Sequence, residues 1–144
     1  MANNRIGRGA YASFQASVRP HARAEVEYRI DNDTIDARES VEGSRRIIGQ
    51  RVQQLLAIWH FSARDSVRTI WQSSVIRRAP SLWEAAVSPR EERTTLSVVY
   101  GHRRRIGTAF YVGANLTRTH DAVGPVTGHQ VELFAKASWT FDVL

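Results

Sequence analysis

Residues 22–30 read ARAEVEYRI. Ala22, Ala24, Val26, Tyr28 and Ile30 share one parity, and Arg23, Glu25, Glu27 and Arg29 share the other. Successive side chains of a strand point to opposite faces, so this stretch predicts a strand with one apolar and one fully charged face. What remains is which medium each face meets. A soluble sheet turns its apolar face to a core, whereas a membrane barrel turns it to lipid and keeps its charges inside.

The same period of two recurs along the chain. It runs through AYASFQASVR (10–19), where Ala12, Phe14, Ala16 and Val18 alternate with Ser13, Gln15, Ser17 and Arg19. It returns in VRTIWQSSVI (67–76), TTLSVVYGH (94–102) and TAFYVGANL (108–116), and RVQQLLAIWHF (51–61) is more evenly apolar. QVELFAKASWTF (130–141) is the cleanest: Val131, Leu133, Ala135, Ala137, Trp139 and Phe141 share one face, and only Phe134 breaks the pattern. β-Branched and aromatic residues are plentiful in all of these segments. The expectation is an all-β, antiparallel up-and-down meander of seven to eight strands, forming a transmembrane β-barrel or part of a larger one. Residues 1–10 are expected to be a disordered or extended N-terminus, and 11–144 the barrel domain.

The connections alternate in length. Pro20-His21, SARDS (62–66) and RRRIG (103–107) are short, whereas 31–50, 77–93 and 117–129 are long. In a meander, alternate connections lie at one end, so all the short turns fall together and all the long loops fall opposite. Bacterial outer-membrane barrels have this asymmetry. An alternative for 35–48 is that it pairs as part of an extended hairpin.

Three features favour lipid on the apolar face. The polar face mixes Arg, Glu, Ser, Thr and Gln rather than the Lys and Glu of a solubilising surface. Arg23, Glu25, Glu27, Arg29, Arg68, Gln72, Glu132 and Lys136 are therefore read as lumen-lining, where opposite charges can pair in water. The apolar face is rich in Ala (12, 16, 22, 24, 135 and 137), which would fill a small protein core poorly. Phe14, Val26, Tyr28, Leu133, Trp139 and Phe141 are read as lipid-facing. Aromatics also gather near segment ends (Tyr11, Tyr28, Trp59, Phe61, Tyr100, Phe110, Trp139, Phe141), and Trp and Tyr favour the membrane–water boundary.

The closing VELFAKASWTFDVL resembles the final strand of Gram-negative outer-membrane barrels, with an aromatic near the C-terminus and apolar residues at alternate positions before it. Residues 50–141 are similar in style to the C-terminal barrel of TonB-dependent-receptor-like proteins and to porin-like barrels. The resemblance implies an outer-membrane location, lipid contact and reading of the last strand by the barrel-assembly machinery. DVL after Phe141 departs from the pattern, and no plug domain or TonB box is visible. Such barrels normally have an even strand number. Seven strands are therefore expected to need more, either missing N-terminal strands of a longer barrel or self-association, to close.

Composition narrows the remaining chemistry. The chain of 144 residues carries a formal charge of +6 and no cysteine, so neither a disulfide frame nor a thiolate zinc site is available. Nineteen of its twenty Lys and Arg residues are Arg, spread along the chain without one patch, which does not favour nucleic acid. MANNRIGRGA lacks the apolar core of a secretory signal. No stretch has the ~18–20 apolar residues of a transmembrane helix, which excludes helical spanning only. DNDTID (31–36) lacks the glycine and distal Glu of an EF-hand loop. The five histidines have no metal-ligand spacing, and no nucleophile triad or P-loop occurs. HRRR (102–105) is read as a solvated or headgroup-facing cluster, and Gly101, Gly107 and Gly113 as relief for strand curvature. No enzyme, metal or cofactor is expected. The function expected is passage or uptake of small polar solutes through a charged lumen. The alternatives are a soluble lipocalin-like barrel for an apolar ligand and a β-rich surface or adhesion module.

Overall fold

A computed structural model describes residues 7–41, 44–83, 85–105, 108–122 and 127–139, with the backbone alone described for 38–41, 44–45, 105 and 127. Seven strands follow one another: β1 Gly7–His21, β2 Ala24–Val41, β3 Ser44–His60, β4 Asp65–Arg78, β5 Arg90–Arg105, β6 Thr108–Asp121 and β7 Thr127–Ser138. They form one sheet in the order β1-β2-β3-β4-β5-β6-β7, every pair antiparallel. The expected all-β meander is present, and the sheet is open, β1 and β7 each having a single neighbour.

The strands outrun the alternating segments at the long-connection end. β2 continues to Val41 and β3 starts at Ser44, so most of 31–50 is paired hairpin rather than loop. The apolar period is interrupted there by polar residues at 31–34 and 50–51, yet cross-strand partners hold the ladder: Arg51 Nε donates to Asn32 at 2.8 Å, and Arg46 pairs with Asp36 at 3.3 Å. β7, by contrast, ends at Ser138, and Phe141 lies outside the described residues.

The short turns have local causes. Pro20 offers no N–H to the ladder, and the β1–β2 register shifts between Val18 and His21 beside it. At the β3–β4 turn the Ser62 hydroxyl accepts the Arg64 and Asp65 amides, both at 3.0 Å, and donates to the Asp65 carboxylate at 2.6 Å.

Among the described residues the buried apolar side chains are Ala37, Ile47 and Leu82 alone, with Ala79 and Trp83 packed against them. Ile47 is an extra residue in β3, standing between the partners of Ile35 and Asp36. Leu82 belongs to a 3-10 turn, Pro80–Leu82, in the β4–β5 connection. Ala37 stands opposite Gly7 and so shares the parity of Asp31 and Asp33. The connection thereby folds onto the charged side of the protruding hairpin. Elsewhere large apolar groups stay open to the surroundings: Leu133 is 79% exposed, Val131 68% and Phe14 59%. A water-soluble domain of this length ordinarily buries such groups in one core.

Candidate functional site: the two faces of the sheet

Residues directly opposite in an antiparallel ladder point to the same face, so the register sorts every strand. One row runs Val18, Val26, Ala57, Thr69, Val98, Ala114, Leu133 across all seven strands. Two residues towards the long connections runs Ala16, Tyr28, Leu55, Trp71, Leu96, Leu116, Val131. β1, β2, β5, β6 and β7 thus bring their apolar parity to this face, whereas β3 and β4 are apolar on both, with Leu56, Ile58 and Ile70 on the opposite side. Phe14, Val26, Tyr28 and Leu133, expected to share a face, do so.

That face is banded. At the short-turn end lie aromatics: His21 stacks on Trp59 at 5.8 Å, Trp139 meets Phe110 edge-on at 6.2 Å, and the Tyr100 hydroxyl donates to Asp65 at 2.6 Å. Next come the apolar rows. Beyond them the side chains of β3 to β6 turn polar, beginning with Gln53, Ser73, Thr94 and Arg118 in one row, which Ile30 and Phe14 continue as apolar residues on β2 and β1. The apolar stretches Phe110–Leu116 of β6 and Val131–Ala137 of β7 each span ~20 Å at ~3.4 Å per residue. At the turn below the band, the Asp65 carboxyl is held well below the usual range by the Ser62 hydroxyl first, then Tyr100 and His102.

The opposite face carries the charges. Glu25, Glu27, Arg29, Arg68, Gln72, Glu132 and Lys136 all lie there by register, whereas Arg23 sits in the β1–β2 turn at the rim, its guanidinium 3.4 Å from the Phe61 carbonyl. On β2 Arg29 meets Asp31 at 2.8 Å, and from β1 Tyr11 donates to the same carboxylate at 2.7 Å and Arg19 reaches Glu25 at 3.3 Å. Tyr11 therefore belongs to the polar face, not to the aromatic boundary expected for it. Asn115 donates to Glu132 at 3.1 Å.

A cleft of about 480 Å³ opens on this face at its short-turn end. Two rows build it, Ser66–Gly101–Tyr111–Lys136 and Arg68–Val99–Gly113–Phe134. The two glycines make room for the rings beside them. A Cβ on Gly101 would lie 3.1 Å from the Tyr111 ring, and one on Gly113 would lie 2.6 Å from Phe134. Phe134, the residue that broke the alternation, thus lies across a glycine on the polar face. Arg68, Arg103 and Lys136 all line the cleft, with no acidic residue among the described lining residues. β2, with Glu25, Glu27, Asp31 and Asp33 against one arginine, supplies the negative side of the same face.

Arg68 and Lys136 were legible as charged-face residues; that they line one cleft was not. Arg103 and Tyr111 were not singled out for this face. Their parity was the available signal, once the β5–β6 turn fixed the register. Among the described residues no cluster of metal-ligating side chains occurs. No family model, curated protein or solved structure matches the chain.

Proposed function

We propose that the chain is a segment of an outer-membrane β-barrel that passes or takes up small polar solutes along its charged face, with anions favoured at the Arg68–Arg103–Lys136 cleft. One observation carries the reading: rows of mostly apolar residues run across all seven strands on one exposed face, with aromatics at the short-turn end and mostly polar side chains towards the other. Lipid contact removes that area from water at ~25 cal/mol per Å², a gain the open sheet in water forgoes. Rings at the turn end suit the membrane–water boundary, where a hydroxyl such as that of Tyr100 stays wet. A lumen bordered by acids on β2 and cations on β4, β5 and β7 sets up a transverse field for a passing solute.

Further strands, from a longer barrel or from copies of the chain, complete the cylinder in this reading. The barrel-assembly machinery is the partner that inserts it.

Two measurements test the proposal. The protein should stay with membranes through high salt and carbonate and leave only in detergent; release in an aqueous buffer favours a soluble lipocalin-like barrel instead. In planar bilayers the Arg68→Gln/Lys136→Gln double variant should conduct with a lower anion-to-cation permeability ratio than the parent. An unchanged ratio removes the cleft from the permeation path.

A further inference from the structure

On the apolar face, beyond the hydrocarbon-like rows, lies a second depression of about 270 Å³. Its floor is Gly49, which the register places in one row with Thr34, Arg77 and Arg90. Arg46, Arg51, Arg77 and Arg90 all contribute to its lining. With no side chain on Gly49, four guanidinium-bearing residues surround an open space; a Cβ there would already touch Arg46 at 3.4 Å. Arg46 is balanced by Asp36 and Arg90 by Glu92. Arg51 spends its Nε on the uncharged Asn32, and Arg77 has no partner among the described residues. Among the described residues, two positive charges are thus left without an acidic partner at one spot.

We propose that this depression binds the phosphate of an anionic lipid headgroup, an inference that rests on the membrane reading above. The order of side chains along β3 and its neighbours is that of an amphiphile. Leu55, Trp71 and Leu96 offer an apolar bed for acyl chains. Gln53, Ser73 and Thr94 form the next polar row, at the level of ester and hydroxyl groups. Arg51 and Arg77 stand beyond it. Arg51 lies ~14 Å along the strand from Leu55, at ~3.4 Å per residue, a headgroup's distance from the first chain carbons. Arginine's planar fork grips phosphate oxygens through paired N–H donors, and Asn32 fixes the Nε edge of Arg51 while leaving its terminal nitrogens free. A free phosphate ion would use the same guanidinia but gain nothing from the apolar bed, so the lipid is the preferred occupant.

The test uses the full chain refolded into phosphatidylcholine vesicles, with brominated phosphatidic acid or brominated phosphatidylcholine as quenchers of tryptophan fluorescence. The parent should prefer phosphatidic acid by roughly fivefold for each unbalanced cation. Arg51→Gln/Arg77→Gln should bring the ratio to about one while leaving quenching by brominated phosphatidylcholine unchanged, which shows the sheet intact. Arg64→Gln, which removes one positive charge at the opposite end of the sheet, should keep the preference. Quenching by both lipids with no preference in the parent overturns this inference and leaves the membrane reading standing. Loss of the preference on adding millimolar inorganic phosphate reassigns the site to the free ion and also overturns it. Absence of quenching by either lipid overturns both.

Discussion

Replacing alanines of the apolar face with arginine, one at a time, reads the depth of each row without removing apolar area from a larger side chain. Ala57 and Ala114 lie in the central row with Thr69 and Val98. Ala10 stands opposite Thr34 near the long connections, and Ala137 stands opposite Phe110 beside the aromatic boundary. On the lipid face of a barrel an arginine costs ~2–4 kcal/mol at midplane and ~0–1 kcal/mol near the interfaces. Ala57→Arg and Ala114→Arg should therefore shift the folded-to-unfolded ratio by ~30-fold to ~900-fold, at ~1.4 kcal/mol per decade. Ala10→Arg and Ala137→Arg should shift it by ~5-fold or less. Ser97→Arg, one residue from Val98 but on the charged face, should stay within ~0.5 kcal/mol of the parent. Urea unfolding from phosphatidylcholine vesicles, followed by tryptophan fluorescence, measures all five. A cost independent of depth, or a Ser97→Arg penalty equal to that of Ala114→Arg, would refute the sidedness on which the functional reading stands.

Gly113→Ala should destabilise by ~1–3 kcal/mol, because the added carbon meets both Phe134 and, at 2.7 Å, the Val98 carbonyl oxygen. Adding Phe134→Ala should recover only part of that loss, since the carbonyl cannot give way; full recovery in the urea assay would show that the ring alone sets the constraint. The Asp65 carboxyl lies below its unfolded value of ~3.9, so its stabilisation is fully present above that pH and is lost only as pH falls towards the depressed folded value. NMR should find Asp65 still ionised at about pH 3, a little below that unfolded value, and titration at an ordinary carboxylate pH would contradict the hydrogen bonds drawn to it. Of chains retaining a single tryptophan, the one keeping Trp71 should be quenched by bromines at mid-chain more strongly than the one keeping Trp83, which belongs to the β4–β5 connection. Equal quenching counts against the proposed depth of the band.

What could be read in the residues follows the medium each part of a strand meets. Where one face is apolar, as at Val26–Ile30 or Val131–Ala137, parity alone identifies the strand and sorts its faces. From Asp31 to Thr34 both parities are polar, so the same rule is silent there, and β2 runs on to Val41 with hydrogen bonds and ion pairs that only the register reveals. The cleft was hidden for a related reason. Arg68 and Lys136 have the right parity, but their sharing one cleft depends on β5 and β6 intervening with glycines at positions 101 and 113, which requires the pairing of four strands. Phe134 looked like an error in a pattern and is instead one half of a ring-on-glycine contact.

The open edges join the fold to the membrane reading. A strand in an antiparallel sheet directs alternate residues' N–H and C=O groups to each side, so β1 and β7 each present an unpaired row. In water those groups are hydrated at little cost. Over an apolar band of ~8 residues, about four residues per edge would bring ~8 polar groups into hydrocarbon, at ~4 kcal/mol or more apiece. That sum, on the order of 30 kcal/mol per edge, exceeds the 5–15 kcal/mol that separates folded from unfolded domains. Insertion and edge pairing must therefore occur together in the proposed function. The same step that places Leu133 and Val131 against acyl chains has to give β7 a second neighbour, whether that neighbour is the edge of another copy or a strand from elsewhere in a longer barrel.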